Sequence, residues 1–310
     1  MRIVFFGSDD FAARHLEEIL GSGHEVAACV TPPDKPKGRG MAVHQSPVKT
    51  LAAGHGIRVL QLASLRPAEA AADLRAINAD IFVVIAYGRL LPQNILDIPP
   101  RGAVNVHGSL LPKYRGAAPI NWAIINGDEL TGVSIIQMNA RMDAGDVMAS
   151  CQVPIQPDDT AVELRARMME AGAKLLVQTL DDISRGRTKA VGQDEAMVSF
   201  APKLTKELGK IDWSKPAARI FNLVRGLLPW PAAYTTYQGK LFKVLECSID
   251  RRHENGSVPG EVLDVADSGL VVATGRGSLV LTRVHLADAK PMEIGDFLCG
   301  HSIKKGHKFI

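Results

Sequence analysis

Along this chain, apolar residues form short unbroken runs that alternate with stretches carrying a helical stripe. The first run, Ile3 to Phe6, is β-branched and aromatic throughout, which predicts a strand buried on both faces. Gly7 ends it. Ser8, Asp9 and Asp10 then offer N-cap oxygens for a helix reaching Leu20, with Gly21 and Gly23 beyond it. The same reading predicts strands over 26–30, 57–60, 80–86, 103–107, 133–138 and 147–153. The strongest is 80–86, where Ile81-Phe82-Val83-Val84-Ile85 is apolar at every position. Helices are expected over 48–53, 67–77 (with Pro67 in its first turn), near 92–96, over 117–126 up to Gly127, and over 160–183. Residues 31–44, rich in Pro, Gly and basic side chains, are expected to be a long loop. Strands alternating with helices imply an α/β class: a mostly parallel, Rossmann-like sheet covered on both faces.

From about Lys189 the pattern changes. Residues 189–208 are largely polar without sustained periodicity and predict a linker. A helix over 216–227 follows. Short runs at 233–237, 240–245, 260–265, 269–273 and 278–284, punctuated by Gly and Asn, predict a small β-barrel. The expected organisation is therefore a domain over 1–188, a linker over 189–208 and a β-barrel domain over 209–310. No internal repeat or low-complexity tract is present.

Composition narrows the function classes. With 310 residues, 46% hydrophobic and 22% charged, the chain can bury two ordinary cores without metal or disulfide staples. The net charge of +3 says little, but its distribution is uneven. Residues 1–202 carry 20 Lys and Arg against 22 Asp and Glu, and residues 203–310 carry 16 against 11. A basic second part suits a polyanionic partner, and equally a solvated surface. Cys29, Cys151, Cys247 and Cys299 are far apart and predict free thiols in a reducing compartment. The opening apolar run is too short for a signal peptide and no stretch reaches the length of a membrane span, so the expected location is the cytoplasm.

The first strand-to-helix turn contains Gly7 but neither G-x-G-x-x-G nor a Walker lysine, so a dinucleotide or nucleoside-triphosphate role has no motif behind it. The informative segment is Asn105-Val106-His107-Gly108-Ser109-Leu110-Leu111-Pro112-Lys113-Tyr114-Arg115-Gly116, at the carboxyl end of a predicted strand, where open α/β sheets place ligands. Asn105 and His107, two apart, share one face of that strand. An amide beside an imidazole can donate to a carbonyl oxygen as it gains charge. A second cluster, Met142-Asp143-Ala144-Gly145-Asp146, lies between two strands. Two acids in a Gly-containing turn are commonly turn formers, and a carboxylate facing His107 would instead manage a proton. Spacing alone leaves both readings open.

Taken together, N-x-H-x-S-L-L-P-x-x-R-G followed by D-x-G-D resembles the folate-dependent formyltransferase family. The resemblance implies the formyltransferase fold with an OB-like C-terminal barrel, and 10-formyltetrahydrofolate as co-substrate without a metal. It implies that Asn105, His107 and Asp143 form the catalytic set. It assigns Ser109, Leu110, Leu111 and Pro112, with Ala86, Tyr87 and Gly88, to the folate site. Phe11-Ala12-Ala13-Arg14-His15-Leu16, Pro33 to Gly40, and Lys290-Pro291-Met292 with Asp296-Phe297-Leu298 resemble members that formylate initiator methionyl-tRNA. In those members a basic loop grips the acceptor stem, which implies tRNA-contact roles for Lys35, Lys37 and Arg39, with Lys203 and Lys206 following phosphates nearby. A monomer is expected. A formyltransferase for a small amine such as an amino sugar nucleotide is the alternative, and a non-catalytic folate- or RNA-binding module a third reading.

Overall fold

A computed structural model describes residues 1–37, 42–250 and 257–309. In chain order the strands are β1 (Arg2–Gly7), β2 (Glu25–Thr31), β3 (Lys35–Lys37), β4 (Ala42–His44), β5 (Arg58–Gln61), β6 (Ile81–Ile85), β7 (Ala103–His107), β8 (Arg115–Gly116), β9 (Leu130–Gln137), β10 (Val147–Pro154), β11 (Phe200–Ala201), β12 (Ala233–Tyr237), β13 (Lys240–Asp250), β14 (Val262–Ala266), β15 (Gly269–Ala273), β16 (Ser278–Leu286) and β17 (Met292–Glu293). The α-helices are α1 (Asp10–Leu20), α2 (Pro47–Gly54), α3 (Ala68–Arg75), α4 (Gln93–Leu96), α5 (Pro119–Asn126), α6 (Ala161–Ser184), α7 (Ala217–Gly226) and α8 (Ile294–Gly300). Two compact units divide the chain: residues 1–116, 131–153 and 166–200 form one, and residues 117–130, 154–165 and 201–310 the other.

The first unit is built on a seven-stranded sheet ordered β10-β9-β7-β6-β1-β2-β5. From β7 to β5 every neighbour is parallel. β9 then runs antiparallel to β7, pairing Asn105 with Ile136 and His107 with Ser134. The unbroken apolar runs are explained by burial on both faces. Val4 and Phe6 join Val30, Phe82 and Val84 in one core, while Ile3 and Phe5, pointing the other way, are fully buried too. The N-terminus of α1 is capped by Asp9 Oδ1, which accepts from Ala12 N at 2.9 Å, and that of α2 by Ser46 Oγ, which accepts from Lys49 N at 3.1 Å.

Residues 31–44 depart from the loop expectation. β3 and β4 pair antiparallel, Lys35 opposite His44 and Lys37 opposite Ala42. Pro36 inside β3 hides the pair from a periodicity reading, since Pro argues against a strand anywhere but at an edge. Arg39 lies outside the described residues. Where the hairpin leaves the sheet, Lys49 Nζ donates to Asp34 Oδ2 at 2.5 Å and to Gln61 Oε1 at 2.9 Å, and Gln61 Nε2 donates to Asp34 Oδ1 at 2.8 Å.

The second unit contains an antiparallel sheet ordered β12-β13-β16-β15-β14, with β17 added on β16. Its strands alternate, and the inward residues Phe242, Val244, Leu270, Val272, Leu279 and Leu281 pack with Trp213, Ile220 and Phe297 in one core. β17 and α8 follow the strands predicted from periodicity and were not foreseen. α8 is short and contains Gly295, which weakens its helical signal. α5 approaches α7 closely: Asn121 Nδ2 donates to Gly226 O at 2.7 Å, and a Cβ on Gly226 would lie 2.5 Å from Ile125.

Candidate active site

Because β1, β6 and β7 are parallel neighbours, the turns after Gly7, Ile85 and His107 emerge along one carboxyl edge of the sheet. β6 and β7 carry the candidate residues there by being buried and fixed in register. Asn105 and His107 stand on the same face of β7 by strand alternation. His107 is 5% exposed, and its ring is fixed by Nε2, which donates to Tyr114 O at 2.9 Å. A carbonyl only accepts, so this nitrogen carries a proton. Nδ1 faces Asp143 Oδ2 at 3.7 Å. That oxygen accepts its hydrogen bond from Gly116 N at 2.9 Å. The imidazole and the carboxylate, far apart in sequence, are thus brought together. The Asn105 side chain is partly exposed on the same face of β7 as His107 and makes no hydrogen bond among the described residues, which leaves its amide free to donate.

Three ordinary residues at this edge sit in the left-handed region: Ala86 at φ 46°, Tyr114 at φ 62° and Asp143 at φ 50°. Such backbone is costly without glycine and persists only where the surroundings hold it. What holds it is visible for each. Ser8 Oγ donates to Ala86 O at 2.7 Å. Tyr114 N donates to Ser199 Oγ at 2.9 Å, while Tyr114 O receives His107. At the Asp143 turn, Gln193 Nε2 donates to Asp143 O at 2.8 Å and to Gly145 O at 2.6 Å. Gly145 is required there, because a Cβ would lie 1.7 Å from Gln137 O.

The segment expected to bind folate follows β7 directly. Ser109 is fully buried: its Oγ donates to Lys113 O at 2.6 Å, and its carbonyl accepts from Ser134 Oγ at 2.8 Å. Its side chain therefore shapes the loop. Leu110 closes over Gly132, where a Cβ would meet the leucine side chain at 2.5 Å. Leu111 N donates to Ser134 Oγ at 3.1 Å, and the Leu111–Pro112 peptide is cis. Leu111 and Pro112 also wall a cleft of about 340 Å³ with Val147, Met148, Val191 and Gln193. In the 86–88 turn the side chain of Tyr87 belongs to the core, edge-on to Phe6 at 5.5 Å, and burial pushes its phenol upward. What this turn offers a ligand is the exposed backbone of Ala86 and Gly88, the latter at φ 74° with open space where a Cβ would be.

Of the expected tRNA contacts, Lys35 and Lys37 lie on β3, and Lys203 and Lys206 are exposed in the second unit. Among the described residues, no group of three or more His, Cys, Asp or Glu side chains could hold a metal ion, and no helix is long and apolar enough to cross a membrane. Sequence reasoning missed a supporting set drawn from the polar tract after α6. Arg115, 5% exposed, donates through Nε to Gln193 Oε1 at 2.9 Å and through its terminal nitrogens to Glu195 at 3.1 and 3.3 Å. The guanidinium holds the Glu195 carboxyl below the usual range. Nothing in an aperiodic run of polar residues signals such contacts.

Comparison with known proteins adds the chemistry. A family described as formyl transferase matches residues 1–180, and one described as formyl transferase, C-terminal domain, matches residues 203–302. The chain is 44% identical to a methionyl-tRNA formyltransferase of Acetivibrio thermocellus, over 99% of this chain and 98% of that relative. It is 44% identical to another, of Agathobacter rectalis, over 100% and 99%. Among solved structures, WlaRD, a sugar 3N-formyl transferase crystallised with dTDP and 5-N-formyl-THF, superposes at TM-score 0.69 with 17% identity, covering 94% of this chain and 99% of that one. HypX from Aquifex aeolicus in complex with tetrahydrofolic acid superposes at TM-score 0.66 with 20% identity, covering 99% of this chain and 50% of that one. At such identities these two structures speak for the fold alone.

Proposed function

The chain belongs to the formyl transferase family, and from that premise we propose that it moves the formyl group of 10-formyltetrahydrofolate to the α-amino group of initiator methionyl-tRNA. The reading is supported by relatives of that name matched end to end at 44% identity. The observation that carries the chemistry is the His107–Asp143 pair at the carboxyl edge of the sheet, with an unengaged Asn105 amide on the same face of β7 as His107.

The folate co-substrate supplies an activated formyl carbon, and every protein group named here acts on charge and protons. The edge suits such a donor: exposed Ala86 and Gly88 can meet the polar rim of a flat ring, and Leu111 and Pro112 wall a cleft. A free α-amino group titrates near 7.7–8.0, so a useful fraction is nucleophilic at neutral pH. The task left to the protein is the oxyanion and the proton. Asn105 donates its amide to the developing oxyanion. His107 contributes Nδ1, since Nε2 is engaged by Tyr114 O; the 3.7 Å spacing to Asp143 is loose enough for Nδ1 to turn to a substrate oxygen. With Nε2–H given to Tyr114 O, a proton on Nδ1 is the one the ring can offer to substrate. Asp143, with Oδ2 held by Gly116 N, takes the amine proton on Oδ1 directly or through water. His107 or a relayed water protonates the departing folate nitrogen.

The tRNA is held by sequence-independent contacts to basic side chains, Lys35, Lys37 and Arg39 of the β3–β4 segment and Lys203 and Lys206 of the second unit, acting on phosphates. The enzyme works as a monomer in the cytoplasm. The test is transfer of labelled formyl from 10-formyltetrahydrofolate to methionyl-tRNA at two salt concentrations. Transfer with kcat/KM falling steeply as salt rises is expected. Formylation of a small amino sugar nucleotide at a rate indifferent to tRNA would overturn the reading.

A further inference from the structure

We propose that Gln193 is a positioning residue of the formyl-transfer site, acting through the backbone of the Asp143 turn; this rests on the role given to Asp143 above. Asp143 adopts φ 50°, a left-handed conformation that aspartate tolerates better than most residues and that here is tied down on every side. The carbonyls of residues 143–146 are all bound. Gln193 Nε2 takes Asp143 O at 2.8 Å and Gly145 O at 2.6 Å, Asn139 Nδ2 takes Ala144 O at 3.2 Å, and Gln137 N takes Asp146 O at 2.9 Å. Gln193 supplies two of these four from one amide.

The other end of the same amide reaches the second catalytic loop. Gln193 Oε1 accepts from Arg115 Nε at 2.9 Å, and Arg115 N donates to Ser199 O at 2.9 Å. Ser199 Oγ accepts from Tyr114 N, and Tyr114 O accepts from His107 Nε2. A single planar amide therefore joins the turn carrying Asp143 to the loop that orients His107. The chemistry required is specific: two N–H donors for two carbonyls on one side and an acceptor for a guanidinium on the other. Glutamine has this set. Glutamate has the same shape and the Arg115-facing acceptor, but it sets a carboxylate oxygen against two carbonyls. A role in packing alone would tolerate that exchange, and a role in positioning Asp143 would not.

The experiment is a double-mutant cycle on the full chain, with kcat and both KM values measured for wild type, Gln193→Glu, Asp143→Asn and the double variant, alongside melting temperature. Gln193→Glu is expected to lower kcat at least about tenfold, in the range set by loss of aligned groups. Both KM values should stay within about twofold and the variant should remain folded, since the new carboxylate pairs with Arg115. Added to Asp143→Asn, it should cause no further loss, because the group it positions is already gone. Wild-type kcat in Gln193→Glu, or a loss that multiplies undiminished in the Asp143→Asn background, overturns the proposal. If Gln193→Glu does not fold, Gln193→Met, similar in length and lacking donors, goes through the same cycle with the same criteria. Normal turnover in Asp143→Asn alone would instead remove the role of Asp143, and the positioning proposal with it.

Discussion

The centre of the parallel sheet and the loops at its carboxyl edge are held by different forces. β1 and β6 are apolar at nearly every position, with Phe5, Phe6, Phe82 and Val83 fully buried, and their positions follow from hydrophobic burial and ladder pairing. The loops 108–116 and 138–146 contain left-handed residues and are held by side-chain hydrogen bonds from Ser134, Gln193 and Ser199. The contrast teaches where damage should show. A change in the sheet should cost stability and spare the chemistry of molecules that remain folded, whereas a change in the edge loops should do the reverse.

The largest effect is expected from Phe82→Ala, which leaves a cavity beneath Phe6 at 5.2 Å between ring centroids. A loss of about 3–5 kcal/mol in denaturant unfolding is predicted, with kcat per folded molecule unchanged. A folded variant with a lowered kcat would break the contrast.

His15 sharpens the contrast from inside the apolar region. Nδ1 contacts Phe11 O at 2.7 Å, Nε2 is buried without a partner, and a Cβ on Gly172 would lie 2.9 Å from it. Burial pushes this histidine down to about 4. Its pKa is lower folded than unfolded, so between about 6.5 and 4 the unfolded chain binds the extra proton, and stability falls as pH falls through that window. The shift corresponds to a loss on the order of 3 kcal/mol from this group. Unfolding curves at pH 7 and pH 4.5 should differ accordingly, and His15→Gln should flatten the dependence. An equally steep dependence in the variant would remove His15 as its source.

At the edge, His107→Asn and Asp143→Asn are each expected to lower kcat at least about a hundredfold, equivalent to about 2.7 kcal/mol of barrier. Melting temperatures should stay close to wild type, because neither side chain contributes to the apolar core. Near-normal turnover in either variant would strike out the assigned role, and a collapse of stability would show that the loops carry more of the fold than the contrast allows.

Sequence reading succeeded where one force dominates over a short stretch. The strand at 103–107 and the strand at 269–273 coincide with β7 and β15, and the run at 81–85 with β6, since unbroken or alternating apolar residues report burial directly. It failed where pairing replaces burial: the β3–β4 hairpin has almost no apolar signal. The family and the identity of Asn105, His107 and Asp143 as candidates were legible because a short motif survives intact in the sequence.

What the chain alone determined was which segments must be buried and which side chains are candidates for chemistry, because hydrophobic transfer and functional-group reactivity are properties of individual residues. Only the tertiary structure decided that Nε2 of His107 is taken by Tyr114, that Asp143 stands in a left-handed turn, and that Gln193 in a featureless polar tract ties the two loops together. Hydrogen bonds between residues remote in sequence depend on where the backbone brings their donors and acceptors, and no local pattern encodes that meeting.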